Sequence, residues 1–358
     1  MLGIALVGVF LSGCVATGES TTTGATSTTS PVTTTELASA TTVPTTTTTA
    51  VEPDDGVPWI VYQGLNGLLR VIRPDGTGDR RALPDGPERA FHPDWSRDGQ
   101  RLAFNVDSAD GTRDIWIASW DGSGTTMLVD CRVPCRDADS PAWSPDGTRI
   151  AFNRIDNIDG HNPGSKIQTV DIASGEITTI FATEGAEFAG GQRWSPDGRS
   201  LVVELTRFID DGNETEEITG ATIGVIDLTA TPATLRLLAP FDSLWNYPDW
   251  HPTLDLILFA AGGEDALDPK QPPQNLFTIR PDGSGLTQLT HQNPNGDGLW
   301  MPAFRLDGDG ILVTIVHRPQ GDLTLGELQL VGSGIVELGD TGPIPGAHSR
   351  QRPVPSTP

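Results

Sequence analysis

Short apolar runs rich in β-branched and aromatic residues, each bounded by a turn built on Asp and Gly, recur along most of the chain. The stretch "SPAWSPDGTRIAFNR" (140–154) shows the pattern: a short segment ending on an aromatic, a Ser-Pro-Asp-Gly turn, then a β-rich run. In such a turn proline presets φ, and glycine accepts the positive φ that ends it. A loop and a second β run follow ("KIQTVDI", 166–172). In other copies a second Asp-Gly turn comes next ("WDGSG", 120–124; "RPDGSG", 280–285), and a last short strand closes the unit ("TTML", 125–128; "LTQLT", 286–290). The pattern predicts four strands and three hairpins per unit.

The same phrase returns as "HPDWSRDGQRLAFNV" (92–106), "GGQRWSPDGRSLVVEL" (190–205), "NYPDWHPTLDLILFAA" (246–261) and, more faintly, "MPAFRLDGDGILVTIV" (301–316). Its anchors are Trp95, Trp143, Trp194, Trp250 and Phe304, separated by 48, 51, 56 and 54 positions. A period near fifty fits one four-stranded propeller blade. The first unit, "PWIVYQGLNGLLRVIRPDGTGDRRAL" (58–83), lacks the aromatic-and-turn strand in front, and "RQRPVPS" (350–356) is left over at the far end as a worn copy of it. The expected fold is therefore all-β: a six-bladed β-propeller of four-stranded antiparallel blades, closed by a C-terminal strand that completes the first blade and removes an open edge. The anchor aromatics are expected to pack one blade on the next.

The segments before the repeats change the picture of where the protein works. Ile4–Leu11 is apolar and too short to span a bilayer. Leu11-Ser12-Gly13-Cys14 follows and resembles the bacterial lipobox, although the usual basic n-region is missing. The resemblance implies a signal peptide over 1–13, lipidation of Cys14 and a bacterial membrane anchor, in the periplasm or elsewhere in the cell envelope; an ordinary secretory signal with an incidental Cys is the plainer alternative. Residues 14–56, almost pure Thr, Ser, Ala and Pro beyond Cys14, lack the apolar content to offset ordering entropy and are expected to be a disordered tether. Two further cysteines, Cys131 and Cys135, have no second Cys pair to complete a metal site. In an exported chain they are expected to form a local disulfide.

Composition agrees with a turn-dense β protein: 41 Gly and 29 Pro make up about a fifth of the 358 residues, against roughly an eighth on average. The net charge of −24 repels phosphate backbones and argues against a nucleic-acid partner, while basic surfaces and cations remain open. The repeats from residue 57 to 358 resemble the propeller of TolB-like proteins, whose units are called WD40-like or PD40 repeats. This resemblance implies the fold. It leaves function open, because the same fold hosts binders, sensors and enzymes. No separate α/β domain is expected before the repeats, only the Thr-rich tether.

Candidate chemistry falls on two places. The loops between second and third strands vary in length and carry Asp156, Asp159, Asp210, Asp211, Glu214, Glu216, Glu217, Glu264, Asp265 and Asp268. They form either a negative bowl for a basic peptide, protein or cation, or simply solubilising charge. The first strand of each unit should line a central channel, with His92, Asp139, Gln192, Arg193, Tyr247, Trp300 and Met301 at its mouth. His251 replaces the Ser of a turn and is expected at the surface. No G-x-S-x-G, H-E-x-x-H or phosphate-loop motif occurs, and no catalytic residue, metal site or cofactor is implied. The reading is a monomeric, surface-tethered module binding a protein or peptide in the cell envelope through its long-loop face and channel mouth. The alternative is an exported propeller enzyme (a lyase, cyclase or hydrolase) using a His–carboxylate site such as His92 with Asp139 on glycans or peptides.

Overall fold

The computed structural model describes residues 56, 58–64, 67–157, 164–209, 217–263, 272–293, 296–318, 322–330, 335–338 and 346–353. Among these the chain is almost entirely β, with a single 3-10 turn at Phe241–Ser243. Strands β1 (Ile60–Gly64), β2 (Leu69–Ile72) and β3 (Arg80–Arg81) come first. Then follow β4 (Ala90–Trp95), β5 (Arg101–Asp107), β6 (Arg113–Ser119) and β7 (Thr126–Val129), and β8 (Cys135–Trp143), β9 (Arg149–Asp156), β10 (Ser165–Asp171) and β11 (Ile177–Ala182). The next groups are β12 (Glu187–Trp194), β13 (Ser200–Ile209), β14 (Glu217–Asp227) and β15 (Thr234–Leu237), then β16 (Trp245–Trp250), β17 (Ile257–Ala261), β18 (Asn275–Ile279) and β19 (Thr287–Gln288). Strands β20 (Gly298–Phe304), β21 (Gly310–His317), β22 (Asp322–Gln329) and β23 (Ile335–Glu337) precede the last, β24 (Gly346–Gln351).

Each group is an antiparallel meander of neighbours in sequence. One parallel bridge, Arg113 to Asp137, joins β4–β7 and β8–β11 into one eight-stranded sheet. The exception to sequential pairing is β24, which lies antiparallel on β1 in the order β24-β1-β2-β3. The inner strands touch in sequence: β4 with β8, β8 with β12, β12 with β16, β16 with β20, β20 with β24, and β24 with β4.

Burial follows position within a group. Strands β5, β9, β17 and β21 are buried along nearly their whole length, on both faces, whereas β7, β11, β15 and β19 are largely exposed. Runs such as "RIAFN" are thus apolar on consecutive residues because sheets pack on either side of them. The anchor aromatics occupy these sheet-to-sheet contacts. Trp95, Trp143, Trp194, Trp250 and Phe304 are each 6–7% exposed. Trp143 packs with Ala103 and Ile115 of the preceding group, Trp194 with Ala142 and Ile167, Trp250 with Val202 and Ile223, and Phe304 with Leu258 and Leu276. Arg101 lies over Trp143 at 4.4 Å and Arg149 over Trp194 at 4.9 Å, which adds cation–π attraction to area burial.

The turns are held by their own side chains. Ser96 Oγ donates to Asp98, Ser144 Oγ to Asp146 and Ser195 Oγ to Asp197, at 2.6–2.7 Å. Each Ser Oγ also accepts a main-chain N–H five residues on, from Arg101, Arg149 and Ser200, at 2.9 Å. His251 stands in this Ser position but is not at the surface. It is 5% exposed, edge-on to Phe304 at 4.8 Å, and its Nδ1 accepts the N–H groups of Thr253 and Leu254. An imidazole is large enough both to cap the turn and to fill the space beside the next group's aromatic.

Candidate functional site: the two ends of the inner strands

Every inner strand carries a bulge at one place, three positions before its anchor. Two residues of the inner strand oppose one of its neighbour: His92 and Pro93, Ser140 and Pro141, Gly191 and Gln192, Tyr247 and Pro248, Met301 and Pro302, and on β24 residues 348 and 349. Proline fits there because the second bulge residue has no ladder bond to donate. The first residue has positive φ: 47° at His92, 53° at Ser140, 57° at Gly191, 52° at Tyr247 and 50° at Met301. Four of these five are not glycine, so each stores backbone strain. The main-chain N–H of Tyr247 is fixed by Glu204 Oε2 at 2.9 Å, and burial pushes the Glu204 carboxyl above its ordinary range.

Beside the bulges the candidate mouth residues gather in two sets. One is charged. His92 Nδ1 lies 2.6 Å from Asp139 Oδ1, and Arg113, from β6, donates to Asp139 Oδ2 at 3.0 Å and to Asp107 at 2.9 Å. Burial alone would raise the Asp139 carboxyl, but the facing His92, the Arg113 guanidinium and the N–H of Ser140 outweigh it and hold Asp139 well below the usual carboxylate range. The other set is apolar. Tyr247 meets the Trp300 ring edge-on at 5.7 Å, and Trp300 and Met301, 6% and 7% exposed, pack with Val316 as wall. Gln192 is fully buried, and its amide ties β12 to β8 by donating to the Ser140 carbonyl. Arg113 was absent from the sequence-based set, because only the fold brings β6 beside β8. On the second strands Gln63, Asn105, Asn153, Glu204 and Thr314 occupy one shared register, opposite the residue before the bulge. These polar positions are visible as the fifth residue of "RLAFN" and its copies, with Ala260 of "LILFA" as the sixth, apolar member.

Arg193 lies beyond the bulge, at the turn end. There a cavity of about 130 Å³ is lined from β4, β8, β12, β16, β20 and β24. The residues just before the anchor position are, in order, Arg350, Asp94, Ala142, Arg193, Asp249 and Ala303, a triplet repeated once. Asp94 Oδ2 accepts the main-chain N–H of Trp143, and Asp249 Oδ2 that of Phe304, both at 2.7 Å, so each carboxylate ties its group to the next. Burial pushes the Asp94 carboxyl up. Burial and the facing Arg350 pull Arg193 down to about 10.

The disulfide between Cys131 and Cys135 is present. Both cysteines are buried, and the loop they close exposes Val133 at 88%. Of the acidic loop residues, Asp156 is a correction. It is buried and paired with Arg154 at 2.6 Å and Lys166 at 2.7 Å, because the β9–β10 hairpin brings both bases against it. The side chain of Glu217, the other eight loop acids, Cys14 and the tether up to residue 55 lie outside the described residues. Among the described residues no group of three His, Cys, Asp or Glu side chains is placed to hold a metal, and no helix is long and apolar enough to cross a membrane.

No protein-family model matches the chain, and no curated protein matches it. Solved structures do. TolB from Acinetobacter baumannii is 15% identical with a TM-score of 0.59, over 83% of this chain and 68% of that one. Hydrazine synthase from Kuenenia stuttgartiensis is 15% identical with a TM-score of 0.61, over 84% of this chain but 47% of its own. A nidogen/laminin complex is 12% identical with a TM-score of 0.55, over 76% of this chain and 89% of the other. The fold is that of a TolB-like β-propeller.

Proposed function

We propose that the chain is a membrane-anchored extracytoplasmic β-propeller that binds a protein or peptide at the mouth end of its inner strands. In this reading Cys14 carries the lipid, the remainder of 14–56 is a tether, and residues 57–358 form a monomeric six-bladed ring closed by β24. The pairing of β24 with β1 and the circuit of contacts among inner strands support the closed ring. The observation that carries the binding role is the series of bulges. Strain of about 1–3 kcal/mol per non-glycine residue persists where surrounding structure imposes it, and the side chains held there differ at every copy: His, Ser, Tyr and Met. In that ring the charged set on β4 and β8 lies across from the aromatic set on β16 and β20, which suits an extended segment with one basic and one apolar face. One structural neighbour is itself a complex between two proteins.

The test is site-specific photo-crosslinking on whole cells, with the reactive residue at Tyr247 or at the exposed turn residue Arg199. A specific cell-envelope protein captured from Tyr247 and not from Arg199 supports the reading. No specific adduct from Tyr247, or the same adducts from both, overturns it.

One observation favours a second reading. The 2.6 Å contact between His92 and Asp139 is the arrangement of a general base with its orienting carboxylate. As a lyase, cyclase or hydrolase acting on glycans or peptides, the protein would lose turnover in His92→Gln with an unchanged melting temperature. Absence of turnover by the unaltered protein across such a substrate panel sinks this alternative.

A further inference from the structure

We propose that the cavity at the turn end of the inner strands is a binding site for a carboxylate group, held between the guanidiniums of Arg193 and Arg350. It is separate from the mouth and does not depend on the function proposed there.

Each Asp of the repeated Arg-Asp-Ala triplet is engaged by a main-chain N–H of the next group. Among the described residues each Arg side chain makes one hydrogen bond, from Nη1 to the carbonyl of its own preceding residue, Gln192 at 2.7 Å and Ser349 at 3.0 Å. The Nε–H groups of both are buried and meet no acceptor among the described residues. Their nearest carboxylate oxygens, on Asp249 and Asp94, stand at 3.8 and 3.9 Å, beyond hydrogen-bond reach. Buried donors of charged groups are rarely left in this state. Burial first, and then the Arg350 guanidinium lining the same cavity, lower the proton affinity of Arg193.

The class of ligand follows from charge, shape and room. Two Arg and two Asp leave the inner charge balanced, so a monoanion is tolerated where a dianionic phosphate would meet the two carboxylates at higher cost. A guanidinium presents parallel N–H groups that match a planar carboxylate. Ala142, where the triplet lacks charge, leaves the space open, and about 130 Å³ admits an acetate- or residue-sized group but not a drug-sized molecule, which needs roughly 300 Å³ or more. Arg97, exposed and lining the same cavity, adds positive charge at its edge. Two sources offer this chemistry: a small free monocarboxylic acid, or the terminal carboxylate of a peptide chain.

The experiment uses the full chain and titrates it with sodium acetate against sodium chloride at equal ionic strength. The readouts are melting temperature and the arginine Nε–H resonances. The expected result is a saturable effect of acetate alone, with the Nε–H signals of Arg193 and Arg350 shifting. Arg193→Lys keeps the charge and loses the fork, and should weaken the effect about tenfold or more, the loss of one charge-assisted bond; Arg350→Lys should behave alike. Pentaglycine and its C-terminal amide divide the sources. Tighter binding of the free peptide than of acetate, with none of the amide, assigns a chain terminus; binding of acetate alone assigns a free acid. Equal responses to acetate and chloride, unmoved Nε–H signals in the unaltered protein, or unweakened binding by folded lysine variants would overturn the proposal.

Discussion

The two ends of the inner strands carry the same repeat and use it differently. At the turn end the side chains are the shared part: Ser and Asp close the turn, an aromatic packs on the preceding group, and Asp94 and Asp249 each tie one group to the next. At the mouth end the backbone is shared, a bulge with positive φ, while the residue upon it changes from copy to copy. A repeat can thus hold a scaffold by repeating side chains, or hold a binding surface by repeating a backbone shape and freeing the side chain. The first end should govern stability and the second recognition, and each expectation can be broken separately.

The largest effect should come from removing residues 346–358, because β24 serves both ends. Its loss bares the edge of β1. It also removes Arg352, which is buried, donates to the Gly99 carbonyl at 2.7 Å and lies over Trp120 at 4.4 Å. A side chain on Gly99 would collide with the Pro353 carbonyl, so the C-terminal segment is seated closely there. More than about 4 kcal/mol should be lost, seen as a broadened or absent thermal transition. An unchanged melting temperature would contradict closure by the C-terminal strand.

The next effect separates the ends. Asp94→Ala and Asp249→Ala each leave a main-chain N–H without its acceptor, at a cost of about 1–3 kcal/mol in denaturant midpoint. His92→Ala at the mouth should cost under about 1 kcal/mol, since its partner Asp139 keeps Arg113. Equal losses from Asp94→Ala and His92→Ala would erase the division between scaffold and contact surface.

Much of the turn end was legible in the sequence, because its signals are local. Ser, Pro, Asp and Gly act within five residues, and the anchors recur at a countable spacing. The Arg-Asp-Ala triplet was not: "RQRPVPS" read as a copy of "ADSPAWS" sets Pro355 at the anchor, whereas the pairing of Arg350 with Val61 puts Arg350 one position before it, and only the fold shows that these residues line one cavity. The mouth was harder. A residue before proline is expected to be extended, and the positive φ of His92, Tyr247 and Met301 arises only from pairing two residues against one across the sheet. Burial of His251 and neutralisation of Asp156 by Lys166 likewise depend on partners that the hairpins and sheet stacking supply.

Acid should act on both ends, because Asp139 at the mouth is held low as well as the turn carboxyls. Hydrogen bonds from Ser144 and Ser195 hold the Asp146 and Asp197 carboxyls below their ordinary range. A carboxyl lowered by folding stabilises above its unfolded value, near 3.9, and that contribution disappears as pH falls through the lower, folded value. Asp94 and Glu204, raised by burial, slope the other way: their contribution is full below the unfolded value and is lost as pH rises. Melting temperature should therefore fall below about pH 4, and Asp146→Asn with Asp197→Asn should flatten that fall. An equally steep acid limb in the double variant would show that the turns do not set it.

The smallest effects test the mouth backbone alone. Ser140 and Gly191 occupy the same bulge position with φ of 53° and 57°. At Gly191 an added Cβ would meet only the Glu204 Cβ, at 3.8 Å, an ordinary contact. Gly191→Ala should therefore report backbone strain without a clash, destabilising by about 1 kcal/mol. Ser140→Gly should stabilise by less, about 0.5 kcal/mol, because relief of strain is partly offset by the greater freedom of glycine in the unfolded chain. Opposite signs from the two substitutions mean that the bulge is imposed on whatever residue stands there, as a surface that presents different side chains from one backbone shape requires. Two neutral results would mean that the positive φ costs nothing, and the mouth would then have no stored strain to explain.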